Sequence, residues 1–202
     1  MCPKRLIIGV SGASGAPIAL ELLRALQATE IESHLIITAG GEKTIEHETE
    51  LTVRDFARLA DQVYDNKNIG AAPASGSYRT IGMAVVPCSM KTLAGINSGY
   101  SDNLLLRAAD VTLKERRKLV LAARECPLSA IHLRNMYELT NMGAVILPPV
   151  LSFYNRPETL QDATCHIVGK ILDQFSLPYT CLLYTSSGRN RRAHYGRRFG
   201  LL

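Results

Sequence analysis

"GVSGASGAP", residues 9–17, separates the apolar run "KRLII" (4–8) from "IALELLRALQ" (18–27). A strand that turns through glycines into a helix opens a βα unit, and glycine lets the backbone approach a ligand closely. The spacing here is Gly9-x-x-Gly12-x-x-Gly15, not the GxGxxG of dinucleotide-binding folds. The next apolar run, "ESHLIIT" (32–38), ends in Thr38 and not in the acid that would hold an NAD ribose. NAD is therefore disfavoured. Backbone amides with Ser14 suit a phosphate or a flavin edge; a bare tight turn accounts for the glycines equally well.

The same alternation continues outward. "KRLIIGV" (4–10), residues 32–38, "QVYD" (62–65), "GMAVVP" (82–87), "KLVLAA" (118–123) and "AVILPP" (144–149) read as strands. Helices are expected from Pro17, over 41–60 as one or two segments with "TVRDFARLA" the clearer, and over 101–117, 127–143 and 157–175. "NIGAAPASGSYRT" (68–80) reads as a loop. Unbroken apolar strands between helices predict an α/β fold: a Rossmann-like open parallel sheet with helices on both faces, in a single domain over 1–178. Ligands of such sheets bind outside the carboxyl ends of the strands.

Composition narrows the class. The 202 residues are 47% hydrophobic and 20% charged, and no apolar run reaches the length of a membrane span. No membrane role is expected, and the protein reads as cytoplasmic. Cys2, Cys88, Cys126, Cys165 and Cys181 show no metal-ligand spacing and read as reduced, mostly buried thiols. The five histidines also lack ligand spacing and read as structural or exposed. The net charge of +5 comes from the end of the chain. Arg189, Arg191, Arg192, Arg197 and Arg198 account for five of 23 basic residues, leaving 18 against 18 acids. Residues 179–202 form an atypical basic tail without helical or strand period. They read as a foreign or frameshifted coding end, so a nucleic-acid role is not expected.

Chemistry-bearing residues follow the strands. "PCSMKTLAG" (87–95) offers Ser89, Lys91 and Thr92 at a helix start, which is either an anion site or a simple N-cap with a solvated lysine. "RAADVTLKERR" places Arg107, Asp110 and Lys114 on one helix face, which reads by spacing as a surface ion-pair ladder. Arg124 and Glu125 end a buried strand, where charge is costly unless it is used. Tyr154 and Lys170 read, by themselves, as packing and solvated positions.

Taken together and in order, "GVSGASGAP", "ASGSYRT", "VVPCSMKTLAG", "RAADVTLKERRKLVLAARECPLS", "HLRNM", "GAVILPPV" and "FYNRPETL" resemble the UbiX family of flavin prenyltransferases, also called Pad-type, over about residues 1–177. The resemblance implies transfer of a dimethylallyl group from dimethylallyl phosphate to reduced FMN. It implies a homododecamer with sites at subunit interfaces, and a product used by UbiD-type decarboxylases. It implies an FMN site of Gly12, Ala13, Ser14, Thr38, Ser89, Met90, Lys91, Thr92 and Arg124. An allylic phosphate site would use Lys114, Glu125, Tyr154 and Lys170, with Arg107 nearby. Ser14, Lys114 and Glu125 would be the catalytic residues, and no metal is implied. Thr38 replaces a Ser common in the family, Lys170 stands where many members have Arg, and the chain has no Trp. A flavin-dependent aromatic-acid decarboxylase and a flavodoxin-like electron carrier are the competing readings. Because all recognised elements lie within 1–178, a chain ending at residue 178 is expected to stay soluble, bind flavin and oligomerise. Gel filtration with flavin absorbance checks this.

Overall fold

The computed structural model describes residues 4–179. Six parallel strands form one sheet: β1 (Lys4–Val10), β2 (Ile31–Ile37), β3 (Gln62–Tyr64), β4 (Gly82–Cys88), β5 (Lys118–Ala123) and β6 (Val145–Ile146). Their spatial order is β3-β2-β1-β4-β5-β6. The chain winds outward from β1 in one direction, then returns beside it at β4 and winds outward in the other. The crevice between the carboxyl ends of β1 and β4 is the topological switch point, where this class of sheet binds ligands.

Seven helices cover the sheet: α1 (Ala16–Gln27), α2 (Ala39–Glu48), α3 (Val53–Ala57), α4 (Met90–Ser98), α5 (Leu104–Lys114), α6 (Ala130–Asn141) and α7 (Leu160–Gln174). Alternate residues of each strand point to opposite faces. Leu6, Ile8 and Val10 pack with Leu22, Leu23, Phe56, Ile167 and Ile171, which places α1, α3 and α7 on one face; Ile45 places α2 there too. Ile7, Met83, Val85 and Leu121 pack with Leu93, Leu105, Ala109 and Leu139, which places α4, α5 and α6 on the other. The expectation of helices on both faces of a parallel sheet holds.

The departures have local causes. In 41–60, the longer helix is α2, with ten residues, and "TVRDFARLA" contributes only the five-residue α3. Helix α4, of which sequence reading expected only the start, begins at the Ser89 cap and ends at Gly99 in a left-handed conformation, φ 70°. Strand β6 keeps two of six expected residues, because Pro148 and Pro149 have no amide to continue the ladder. Among the described cysteines only Cys88 is buried; Cys126 is exposed and Cys165 half-buried, so the expectation of mostly buried thiols is corrected. Burial pushes the Cys88 thiol up, which keeps it protonated and inert. Cys2, Cys181 and all five tail arginines lie outside the described residues. Tyr179, read from sequence as the first tail residue, packs on the core and donates to Glu21 Oε1 at 3.0 Å.

One buried histidine ties β2 to its neighbours. His34 is 5% exposed. Its Nδ1 lies 2.9 Å from Tyr64 Oη, its ring stacks on Tyr64, and Tyr78 meets it edge-on. Glu32 Oε2 lies 3.6 Å from its Nε2, Arg5 sits over the Tyr78 ring, and Asp61 is held nearby by Ser33. Burial outweighs the Glu32 carboxylate and holds the imidazole below its ordinary value of 6.5. The unfolded chain therefore takes up the proton first as pH falls, and the stability contributed by neutral His34 is present above pH 6.5 and lost below it. Urea unfolding at about pH 7.5 and about pH 5 is expected to show a loss of stability that His34→Asn reduces. An unchanged pH slope in His34→Asn overturns this.

Candidate functional site

Ser11 fixes the two loops of the switch point to each other. Its hydroxyl, 1% exposed, donates to Pro87 O at 2.9 Å and accepts from Ser89 N at 2.8 Å. Its own amide donates to Pro87 O at 3.2 Å. Of the two serines in "SGAS", Ser11 is thus structural, while Ser14 is exposed and free to meet a ligand.

Beside this tie lies a cleft of about 460 Å³. Gly12, Thr38, Ser89, Lys91 and Thr92 line it, so five of the residues expected to hold FMN share one wall system. Three helices begin there. Thr38 caps α2, with Oγ1 accepting from Gly41 N at 3.1 Å. Ser89 caps α4, with Oγ accepting from Thr92 N at 3.2 Å and donating to Thr92 Oγ1 at 3.1 Å. Asn103 caps α5. Ser89 is a cap, and the cap does not close the helix start: it engages the third amide, and those of Met90 and Lys91 have no intrahelical acceptor. The amides of Ala39 and Gly40 stand likewise at the start of α2. Met90 turns its side chain into the core, so it can offer only its backbone. Ala13 is already spent in part, its amide donating to Ser11 O at 2.9 Å.

The glycine signal has a steric cause. A Cβ on Gly12 would lie 2.9 Å from Gly40 Cα, and one on Gly40 would lie 3.0 Å from Gly12 Cα. The two loops meet backbone to backbone. With positive helix ends, the hydroxyls of Thr38, Ser89 and Thr92, and the Lys91 ammonium set against one carboxylate, Asp102, the cleft suits a phosphoester.

Ser14 and Arg124 line a second hollow, of about 200 Å³, against Ala163, Thr164 and Ile167 of α7. Arg124 and Glu125 are exposed in the single chain. The argument from a buried charge pair is therefore corrected, and Glu125 Oε1 accepts from Cys126 N at 3.0 Å. Tyr154, 81% exposed, is not a core residue; it meets His166 of α7 edge-on, one helical turn before Lys170. Lys170 Nζ lies 3.8 Å from Asp173.

The ion-pair ladder is half formed. Arg107 bonds Asp110 at 2.6 Å, but Lys114 turns away to Glu115 at 2.5 Å and holds that carboxyl below the usual range. Lys114 ends α5 near the amino end of β5, on the sheet face opposite α7. One chain therefore separates Lys114 from Tyr154 and Lys170 by the thickness of the sheet and its helix layers. Among the described residues no three His, Cys, Asp or Glu side chains are grouped to hold a metal ion.

Sequence reading missed Glu48. Its Oε2 accepts from Gly15 N at 2.8 Å and Ala16 N at 2.9 Å, so a carboxylate closes the start of α1. In "IEHETE" it is one acid among several, and only the fold brings it to amides 33 and 32 residues earlier.

Residues 1–174 match the model of the flavoprotein family. The chain belongs to that family. A probable UbiX-like flavin prenyltransferase of Sedimentibacter hydroxybenzoicus is 52% identical over 87% of this chain and 93% of its own, which places the chain in the UbiX-like branch. Two solved structures superpose with a TM-score of 0.85. AnUbiX (PadA1), in complex with FMN and dimethylallyl pyrophosphate, is 48% identical over 86% of this chain and 93% of that one. A dodecameric FMN-dependent UbiX-like decarboxylase from Escherichia coli O157:H7 is 50% identical over 88% and 100%.

Because Glu48 satisfies two amides with one charged acceptor, Glu48→Ala is expected to destabilise the chain by about 1.5–3 kcal/mol. Glu48→Gln, which keeps a carbonyl acceptor, should cost less. Chemical denaturation of both variants checks the order; equal stability of Glu48→Ala and wild type overturns it.

Proposed function

We propose that this protein is a flavin prenyltransferase that moves a dimethylallyl group from an allylic phosphate to reduced FMN. One observation carries the reading. A cleft with open helix starts, three hydroxyls and a lysine stands at the switch point of a chain 48% identical to a relative solved with FMN and dimethylallyl pyrophosphate. Flavin-phosphate binding is assigned to Thr38, Ser89, Lys91, Thr92 and the amides of α2 and α4, with Gly12 leaving room for close approach. Ser14 and Arg124 are assigned to the flavin edge nearest α7.

Reduced flavin would supply the nucleophile: N5 takes the allylic carbon and releases its proton, and a second bond from C6 to the prenyl double bond closes a ring, the double bond gaining a proton as C6 loses one. The chain supplies position and charge. As the allylic C–O bond breaks, its electron pair leaves with the phosphate. Lys114, Tyr154 and Lys170 are assigned to stabilise that growing charge, with Arg107 nearby, and Glu125 to move protons. Lys170 gives a point-charge contact where an arginine would give a fork. Since Lys114 and Lys170 lie on opposite faces of one sheet, the phosphate site is completed by a second copy of the chain. The dodecameric relative supports such an assembly. The product would serve a UbiD-type decarboxylase. The thiols of Cys88 and Cys126 fit a reducing compartment, and we place the reaction in the cytoplasm.

Incubation with reduced FMN and either dimethylallyl phosphate or the pyrophosphate, followed by mass analysis, is expected to show flavin plus one prenyl unit. Because the assigned phosphate ligands are cations, EDTA should not abolish turnover. Lys114→Ala should keep FMN affinity and slow transfer by about 10²–10³, on the order of losing one preorganised charge-stabilising donor. An unmodified flavin overturns the activity and favours an electron carrier; wild-type turnover in Lys114→Ala overturns that residue's role.

A further inference from the structure

The start of α5 is closed in a way that the starts of α2 and α4 are not. Leu104 N donates to Asn66 O at 2.8 Å, and Leu105 N donates to Asn66 Oδ1 at 3.0 Å. Leu106 N donates to Asn103 Oδ1 at 3.0 Å, and Arg107 N donates to Asn103 O at 3.0 Å. The three first-turn amides of α5, Leu104 to Leu106, are thus all occupied before the regular helical bonds begin at Arg107, two of them by a residue 38 or 39 positions earlier in the loop after β3. This helix start has no amide left for an anion.

The two capping asparagines differ in what remains. Asn103 uses both ends of its carboxamide, because its Nδ2 donates to Asp102 Oδ1 at 2.9 Å. Asn66 uses only one. The Leu105 amide is a donor, so the atom facing it must be the carbonyl oxygen, and this fixes the orientation of the group. Among the described residues nothing engages Asn66 Nδ2, and the residue, half-buried, lines the 460 Å³ cleft together with Thr38, Gly40, Ser89 and Lys91. Asn66 also borders a neighbouring groove of about 480 Å³, but that groove sets two carboxylates, Glu42 and Asp65, against Lys67, whereas the cleft sets one, Asp102, against Lys91 and the open helix starts of α2 and α4. A donor locked in place by its own acceptor, on the wall of an anion-receiving cleft, costs little further ordering when a ligand arrives.

We propose that Asn66 is a further flavin-binding residue, whose Nδ2 donates a hydrogen bond to an oxygen of the ribityl-phosphate arm. This rests on the assignment of flavin to the cleft. Asn66 then has two tasks: its oxygen holds the start of α5, and its nitrogen reads the ligand that α5 itself cannot bind. The position tells an acceptor on the ligand from a donor; sequence reading did not single out Asn66, which falls between the strand expected over 62–65 and the loop over 68–80.

The test is titration of the full chain with FMN and with riboflavin, which lacks the phosphate, by flavin fluorescence. Asn66→Asp keeps an acceptor for Leu105 N but replaces the donor with a negative charge. It is expected to weaken FMN binding by about tenfold or more, as like charge meets the ligand. Asn66→Ser keeps a capping hydroxyl without the carboxamide, and is expected to weaken FMN by about two- to tenfold, the scale of one net hydrogen bond. Loss for FMN alone assigns the contact to a phosphate oxygen; loss for both flavins assigns it to a ribityl oxygen. Melting temperatures accompany each titration, and Asn66→Ser decides the matter if Asn66→Asp is destabilised. Unchanged affinity for both flavins in folded variants, beside normal wild-type binding, overturns the Asn66 assignment alone. A wild-type chain that binds neither flavin overturns the cofactor assignment and this one together.

Discussion

The Ser11 hydroxyl, buried at the switch point, joins the loop after β1 to the loop after β4. It donates to Pro87 O and accepts from Ser89 N, so both of its capacities are used across a sequence separation of 76 and 78 residues. A buried hydroxyl without partners would be unfavourable, and one with two partners sets a distance. The position of Ser89, and therefore of the α4 start, follows from it. On the other side of β1, the Gly12–Gly40 backbone contact sets the start of α2 in the same way. The walls of the cleft between them are set by contacts within the chain, which hold the helix-start dipoles in place.

Within that frame, helix capping decides which backbone groups are open to a ligand. Thr38 and Ser89 satisfy the third amide of α2 and α4 and leave earlier ones open, while Asn66 and Asn103 close α5 completely. Glu48 does for α1 what no local side chain does, since Gly15 at its cap has none. The result is a carboxyl edge on which positive potential is concentrated at α2 and α4 and cancelled at α1 and α5.

The arrangement of cations is divided by the sheet itself. The sheet and its two helix layers keep Lys114 apart from Tyr154 and Lys170, and no side chain is long enough to cross that thickness. Large apolar residues stay exposed on α6, in the segment that carries Tyr154 and at the start of α7, among them Ile131, Tyr137, Val150, Phe153 and Leu160. Such a surface is costly for an isolated chain, and fits the assembly proposed for completing the phosphate site.

The sequence by itself determined the layer architecture, because period and burial are coupled: runs such as "KRLIIGV" and "KLVLAA" have no polar face and must lie inside a covered parallel sheet. Ordered motifs identified the family, and the resemblance pointed to Gly12, Thr38, Ser89, Lys91 and Thr92, which spacing by itself left open between an anion site and a plain turn with a cap. Tertiary structure alone decided the rest. It showed that Ser89 is cap and cleft wall at once, that Arg124 and Glu125 are exposed, and that Lys114 leaves the ladder for Glu115. Glu48 and Asn66 came to light only there, because each acts on amides more than thirty residues away. Local pattern reports what a residue does to its own helix or strand; these contacts are made by the winding of the chain, which brings together loops that no spacing rule connects.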